Sequence, residues 1–341
     1  MRHVLLVLAT LFAAPGCAPR AVIAVDMPAE LTVPADVRSL ALVDRKGSTA
    51  SAAARLALQE ELQGTARFTV TEPTAAQSAL GKVRGTVGAP LDADAVGLLR
   101  GATGADGVLA IDQVEQVETW SYVDRVESQT RTETRRDPNC PSCPGTVSEV
   151  TTDVPVTEAT CTLTLTVGYQ LYGASGAVVD AWTETLTDSR SATGTSNDDA
   201  RRAVGDTSTL ATELAQASAF EATRHIAPWA TTVSRRWFAG GGPEVAEGAK
   251  LARAGDWVGA EKAWKKGKKT TEGDTKGRVA FNLAVAAERR GDIASALTLC
   301  KEAKGLLKNA GPADTYLVDL RARKRQATTL AAQMAPAPAE E

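Results

Sequence analysis

The chain has 341 residues, 38 Lys and Arg against 41 Asp and Glu, a formal charge of −3, and two histidines. Near-neutral charge gives the chain as a whole no electrostatic reason to bind nucleic acid, and one histidine beyond the first three residues cannot build a multi-histidine metal site. The length suits about two domains, with apolar content ordinary for a globular protein.

Met1-Arg2-His3 is a short basic start, and the VLLVLATLFAA that follows is apolar but too short to span a bilayer. Together they read as an export signal over residues 1–16. The segment closes on AAPGC, with small residues directly before Cys17. This resembles the lipobox of bacterial lipoproteins, although Ala14 stands where leucine is the common residue. The resemblance implies that Cys17 is lipidated and becomes the new N-terminus, enough for stable anchoring. Ala18 replaces the aspartate that retains many such proteins at the inner membrane, which implies the outer membrane, facing the periplasm or the cell surface.

Residues 17–242 read as a mixed α/β domain. RSLALVD (38–44) is a buried strand, TASAAARLALQEELQG (49–64) a helix ending at Gly64, and ARFTVTEP a strand stopped by Pro73. DADAVGLLRGATG is a short helix capped by Asp92 or Asp94, and ADGVLAIDQVEQVE is another strand. This alternation opens an α/β sheet and is similar in topology to small α/β modules of envelope proteins such as curli-secretion lipoproteins. From about residue 107 to 190 the hydrophobic period becomes two. Cys161, Leu163, Leu165, Val167, Tyr169 and Leu171 share one face, with Thr160, Thr162, Thr164 and Thr166 on the other. The result is an antiparallel meander with a long β-hairpin over 112–170. Asp198 or Asp199 then caps one long helix running to Ile226, and Thr231–Val233 is a strand returning to the sheet. His225 sits near that helix's end, where a histidine meets the last carbonyls more often than it does catalysis.

Cys140 and Cys143 form a CxxC at the hairpin tip. Two ligands fall short of a structural zinc, and no helix N-terminus follows to acidify a thiol. In an oxidising envelope the expected reading is a disulfide staple, with an exchange-active pair and a metal site as alternatives. Cys300 reads as a core thiol. GATGADG (101–107) leads into a strand rather than opening a helix, so it is not a phosphate cradle.

Gly240-Gly241-Gly242-Pro243 marks the boundary to an all-α domain, 243–334, before a disordered tail, 335–341. GDWVGAEKAWKKG and GDIASALTLCKEAKG recur about 36 residues apart, a period that resembles tetratricopeptide repeats. Leu283, Ala284, Ala287, Gly291, Ala296, Cys300 and Ala303 in the second unit, and Gly248, Leu251, Gly255, Ala260 and Trp264 in the first, fall on that repeat's small and apolar positions. Gly267 departs from it. ADTYLVDLRARKRQATTLAAQM (313–334) is a closing helix. Residues 250–325 carry 18 basic against nine acidic side chains.

The fold class expected is therefore α+β. MPAELTVPADVRSLALVDR, IAPWATTVSRRWFAGG, GDWVGAEKAW and FNLAVAAERRGDIASAL, in that order, resemble an uncharacterised family of bacterial cell-surface lipoproteins with tetratricopeptide-like C-termini. The resemblance implies architecture, not a reaction. The carboxylates are scattered, and no nucleophile stands in a motif with a base, so the expectation is a non-enzymatic, lipid-anchored scaffold without cofactor or metal. An envelope protein or peptide would lie in the repeat groove, against Lys250, Arg253, Arg278, Asn282 and Glu288. Asn282 can serve a ligand's backbone or its own repeat equally. The alternatives are a protomer of a ring-forming secretion assembly, with the long hairpin pairing between neighbours, and an activator of a cell-wall enzyme.

Overall fold

The computed structural model describes residues 19–83, 89–135 and 146–336. The chain divides into two compact units: the described residues up to Ala29 join Pro228–Ala335, and Glu30–Ala227 form the other. The polypeptide thus passes between the units twice, after Ala29 and after Ala227. Together the described residues form a mixed α and β protein, a sheet region followed by helical hairpins.

The first unit opens with β1 (Arg20–Met27). The second carries β2 (Ser39–Asp44), α1 (Thr49–Gly64), β3 (Thr69–Val70), α2 (Pro73–Leu80), α3 (Ala93–Thr103), β4 (Gly107–Arg135), β5 (Thr146–Tyr172), β6 (Val178–Gly194), α4 (Asn197–Val204) and α5 (Ser208–Ile226). Its sheet has the order β3-β2-β4-β5-β6. β2 lies parallel to β3 and β4, whereas β4, β5 and β6 are antiparallel. β2 is buried on both faces, as parallel strands are. Leu40 and Leu42 pack into the core under α1 and α5, while Ala41 and Val43 pack under α2 and α3.

Local chemistry sets these boundaries. Ser48 caps α1, and Ser51 reciprocates in a capping box. Asp92 caps α3 through the Ala95 N–H at 2.7 Å. α2 has no counterpart in the sequence reading, although Pro73 at its first turn is a start signal as much as a stop. The single long helix expected after residue 197 is two helices. Gly205 takes φ +81, a backbone that side chains avoid, and breaks the run. The cap is the Ser196 hydroxyl, which accepts from the Asp199 N–H, so neither Asp198 nor Asp199 serves.

The first unit continues with β7 (Trp229–Arg236), α6 (Pro243–Arg253), α7 (Trp257–Thr270), α8 (Gly273–Arg289), α9 (Ile293–Leu306) and α10 (Gly311–Met334). The strand expected to return to the sheet does not do so. β7 pairs antiparallel with β1 in a separate two-stranded ribbon, from Arg20 opposite Arg236 to Met27 opposite Trp229. Alternation explains this: Ala21, Ile23 and Val25 are buried on one face and join the core of the helices. Helices α6–α7 and α8–α9 are antiparallel hairpins capped at Asp256 and Asp292. Buried Ala260 and Ala296 let the paired helices approach. Gly267, out of place as a repeat residue, is a close-approach position, since a Cβ there would sit 2.7 Å from the Glu244 Cβ.

Candidate functional site

Two features of the structure bear on function, one in each unit. In the helical unit, the inner helix α8 is buried without interruption from Val279 to Glu288. A helix presenting an open groove would expose one face. Here the apolar face of the β1–β7 ribbon and Trp237 complete the same core. Asn282, expected on a partner-binding face, is buried and grips the chain itself: its Oδ1 accepts the Phe238 N–H at 2.8 Å and its Nδ2 donates to the Phe238 carbonyl at 2.8 Å. Arg278 donates to the Gly240 carbonyl at 3.0 Å, pairs with Asp274 at 2.8 Å and lies over the Phe238 ring. Lys250 and Arg253 sit together in the last turn of α6, exposed to solvent. The structure thus brings Arg278 and Asn282 together on residues 238–240 and leaves Lys250 and Arg253 apart from them.

Further along α8, Glu288 is the centre of a buried polar network. Arg235 of β7 forks onto its two oxygens at 2.9 and 3.2 Å, and the Tyr316 hydroxyl donates to it at 2.7 Å. Arg235 also reaches Asp319 at 3.0 Å. Burial would disfavour the charged guanidinium, but the carboxylates outweigh it and hold the Arg235 pKa above its ordinary value. Every arm of Arg235 ties β7 to α8 or α10. Glu288, expected on the groove face, is instead buried in this network, and its partners could not be read from the sequence because no spacing links position 235 to 288 and 319.

In the sheet unit the dominant feature is the β4–β5 hairpin. Its inner part is the core: Cys161, Leu163, Leu165, Val167, Tyr169 and Leu171 are all buried on one face. The other face is a threonine ladder, with Thr164 against Thr187 at 2.9 Å and Thr166 against Thr185 at 3.0 Å. β6 pairs with β5 only as far as Thr157 opposite Gly194, and β2 pairs with β4 only up to Ile111. Beyond these points eleven residue pairs, from Arg125–Val156 to Arg135–Thr146, have no third strand beside them among the described residues, and past the buried Val156 they stand as a bare two-stranded ribbon. Val126 and Val147 are exposed on one face of it.

Other candidates resolve structurally. His225 ends α5 and meets Asp180 at 2.8 Å and Glu30 at 3.1 Å, with its ring 4.6 Å from that of Trp182. Burial lowers its pKa, but the two carboxylate bonds prevail and raise it above 6.5. No hydroxyl or thiol is among these partners. Cys161 and Cys300 are buried free thiols, and burial pushes the Cys300 pKa up to about 12. Arg45 and Asp112 make a buried ion pair at the β4 bulge between Ile111 and Gln113. Burial raises the Asp112 pKa although Arg45 opposes it. Among the described residues no three His, Cys, Asp or Glu side chains gather into a metal-binding group, and no helix is long and apolar enough to cross a membrane. The expected signal peptide, the lipidation site Cys17, the pair Cys140 and Cys143, and residues 337–341 of the tail lie outside the described residues.

Comparison with known proteins adds two family matches and no activity. No curated protein matches the chain. The model of a domain of unknown function, DUF6340, matches residues 246–331, the helical hairpins. A second, DUF8603, also a domain of unknown function, matches residues 36–238, which is 203 of the 341 residues. On that match the chain belongs to the DUF8603 family.

Proposed function

We propose that the protein is a non-catalytic, lipid-anchored scaffold of the bacterial cell envelope, a protomer that joins an assembly through its long β-hairpin. The observation that carries this reading is the bare outer ribbon of β4 and β5. An isolated two-stranded hairpin is marginally stable in water, and a third strand or a packed face is the usual remedy. Eleven pairs extend about 37 Å, with free strand edges and exposed Val126 and Val147. Such an edge is a template for pairing with another chain.

The lipid anchor rests on the sequence AAPGC at Cys17 and places the scaffold at the envelope, the outer membrane in the absence of a following aspartate. The tetratricopeptide-like reading of the helices rests on the repeated GDWVGAEKAW and GDIASAL segments and on two hairpins of matching caps. In that reading the groove is occupied by the chain's own β7 and residues 238–240, so a peptide would have to displace them. The hairpin is therefore the better-supported contact surface. The non-catalytic reading rests on the surroundings of His225, Cys161 and Cys300, none of which pairs a nucleophile with a base.

In-cell crosslinking of the intact protein, followed by capture and mass spectrometry, tests the proposal. Crosslinks from the 125–135 and 146–156 segments to a second copy of the chain are expected. Crosslinks confined to the helical unit would refute the hairpin as the contact surface.

A further inference from the structure

We propose that Arg20 and Arg236 form an anion site that seats a phospholipid headgroup phosphate beside the chain's own anchor; this rests on the reading of Cys17 as lipidated. The two arginines are cross-strand partners at the open end of the β1–β7 ribbon, and both are exposed. Like charges directly opposite one another on a sheet are destabilising. No acid pairs with either arginine to relieve the clash. Asp319 and Glu288 are both engaged by Arg235, and neither Arg20 nor Arg236 has a carboxylate partner among the described residues.

The pair opens onto a cleft of about 360 Å³ that Ser234, Thr315, Phe281 and Tyr316 also line, with Arg235 and the Asp319 carboxylate it holds, so three guanidinium groups face one carboxylate there. Two guanidinium forks and the Ser234 hydroxyl suit phosphate oxygens, which accept paired hydrogen bonds; the Thr315 hydroxyl already donates to the Gly311 carbonyl at 3.2 Å.

Position selects the source of the phosphate. Cys17 precedes Arg20 by three residues, a span of at most about 11 Å of extended chain. A lipid thioether at Cys17 holds the membrane surface within that distance, so Arg20 and Arg236 are the first cations of the helical unit to meet headgroups. Each cation at an anionic surface strengthens attachment about five-fold, so the pair contributes on the order of 30-fold.

The test uses the full chain produced in a bacterium and recovered from membranes, placed in vesicles of phosphatidylcholine alone or with one-third phosphatidylglycerol. Arginines are modified with phenylglyoxal and read by peptide mass spectrometry. Arg20 and Arg236 should react at least about five-fold more slowly on the anionic vesicles. High salt should relieve this protection, and exposed Arg253 and Arg321 should react alike on both. Equal rates at Arg20 and Arg236 on the two vesicles would overturn the site. Equal protection by inorganic phosphate on neutral vesicles would overturn the lipid as its source. The mass of the N-terminal peptide reports separately on Cys17. If it carries no lipid, the anchor reading fails on its own, and the same vesicles then judge the arginines: protection upholds the anionic-lipid site, and its absence overturns it.

Discussion

Replacing Asn282 by alanine should open the helical unit along one seam. The Asn282 amide satisfies both backbone groups of Phe238, each at 2.8 Å. Alanine leaves a donor and an acceptor unpaired where Phe238 is half-buried, and leaves a void where the buried Asn282 amide stood. An unsatisfied buried polar group costs about 1–3 kcal/mol. Because Phe238 keeps some access to water, the lower half of that range applies to each group, giving roughly 2–4 kcal/mol in all. Asn282→Asp keeps the acceptor, loses the donor and buries a charge, so it should be at least as damaging. Hydrogen exchange at residues 237–242 is the direct assay, with urea unfolding beside it. Exchange should accelerate by on the order of 100-fold in Asn282→Ala, following the local loss of stability. A variant within about 0.5 kcal/mol of the parent, with unchanged exchange, would show that Asn282 sits on an ordinary surface and that the groove is not filled by its own chain.

Glu288→Ala should destabilise the same unit by about 3–5 kcal/mol in thermal unfolding, since it leaves Arg235 charged and half-enclosed without its principal partner. His225 should titrate above 6.5 by NMR, because Asp180 and Glu30 stabilise its cation. Its contribution to stability is then full below about 6.5 and is lost as pH rises through the raised folded value; a midpoint at or below 6.5 would refute the carboxylate clamp. Cys161 and Cys300 should resist maleimide at mildly alkaline pH until the protein unfolds, as burial raises both thiols.

Where one stretch of chain decides its own structure, the sequence was sufficient. The helix over 49–64 is found at those bounds, and the alternation from Cys161 to Leu171 is the buried face of β5. The repeated Gly-Asp pairs mark the turns within both helical hairpins. Partner choice was not legible. Nothing in Thr231–Val233 says that it pairs with residues 23–25 rather than with the sheet, because a strand's ladder is the same chemistry against any neighbour. β1 itself went unread beside the export signal, although its alternation is clear once the ribbon is seen. The setting of Asn282 was hidden for a related reason. Asn282 has the chemistry to hold a backbone, but the backbone it holds is 44 residues upstream. The Gly205 break lay within a helical composition in which a single glycine is often tolerated.

The proposed role of the hairpin as a contact surface for assembly makes the oligomeric state decisive. The most direct test is the mass of the full chain in detergent as a function of concentration, beside a Val126→Lys/Val147→Lys variant. The mass should exceed one chain, grow with concentration and fall to a single chain in the variant. A single-chain mass at every concentration, the same in both proteins, would contradict it.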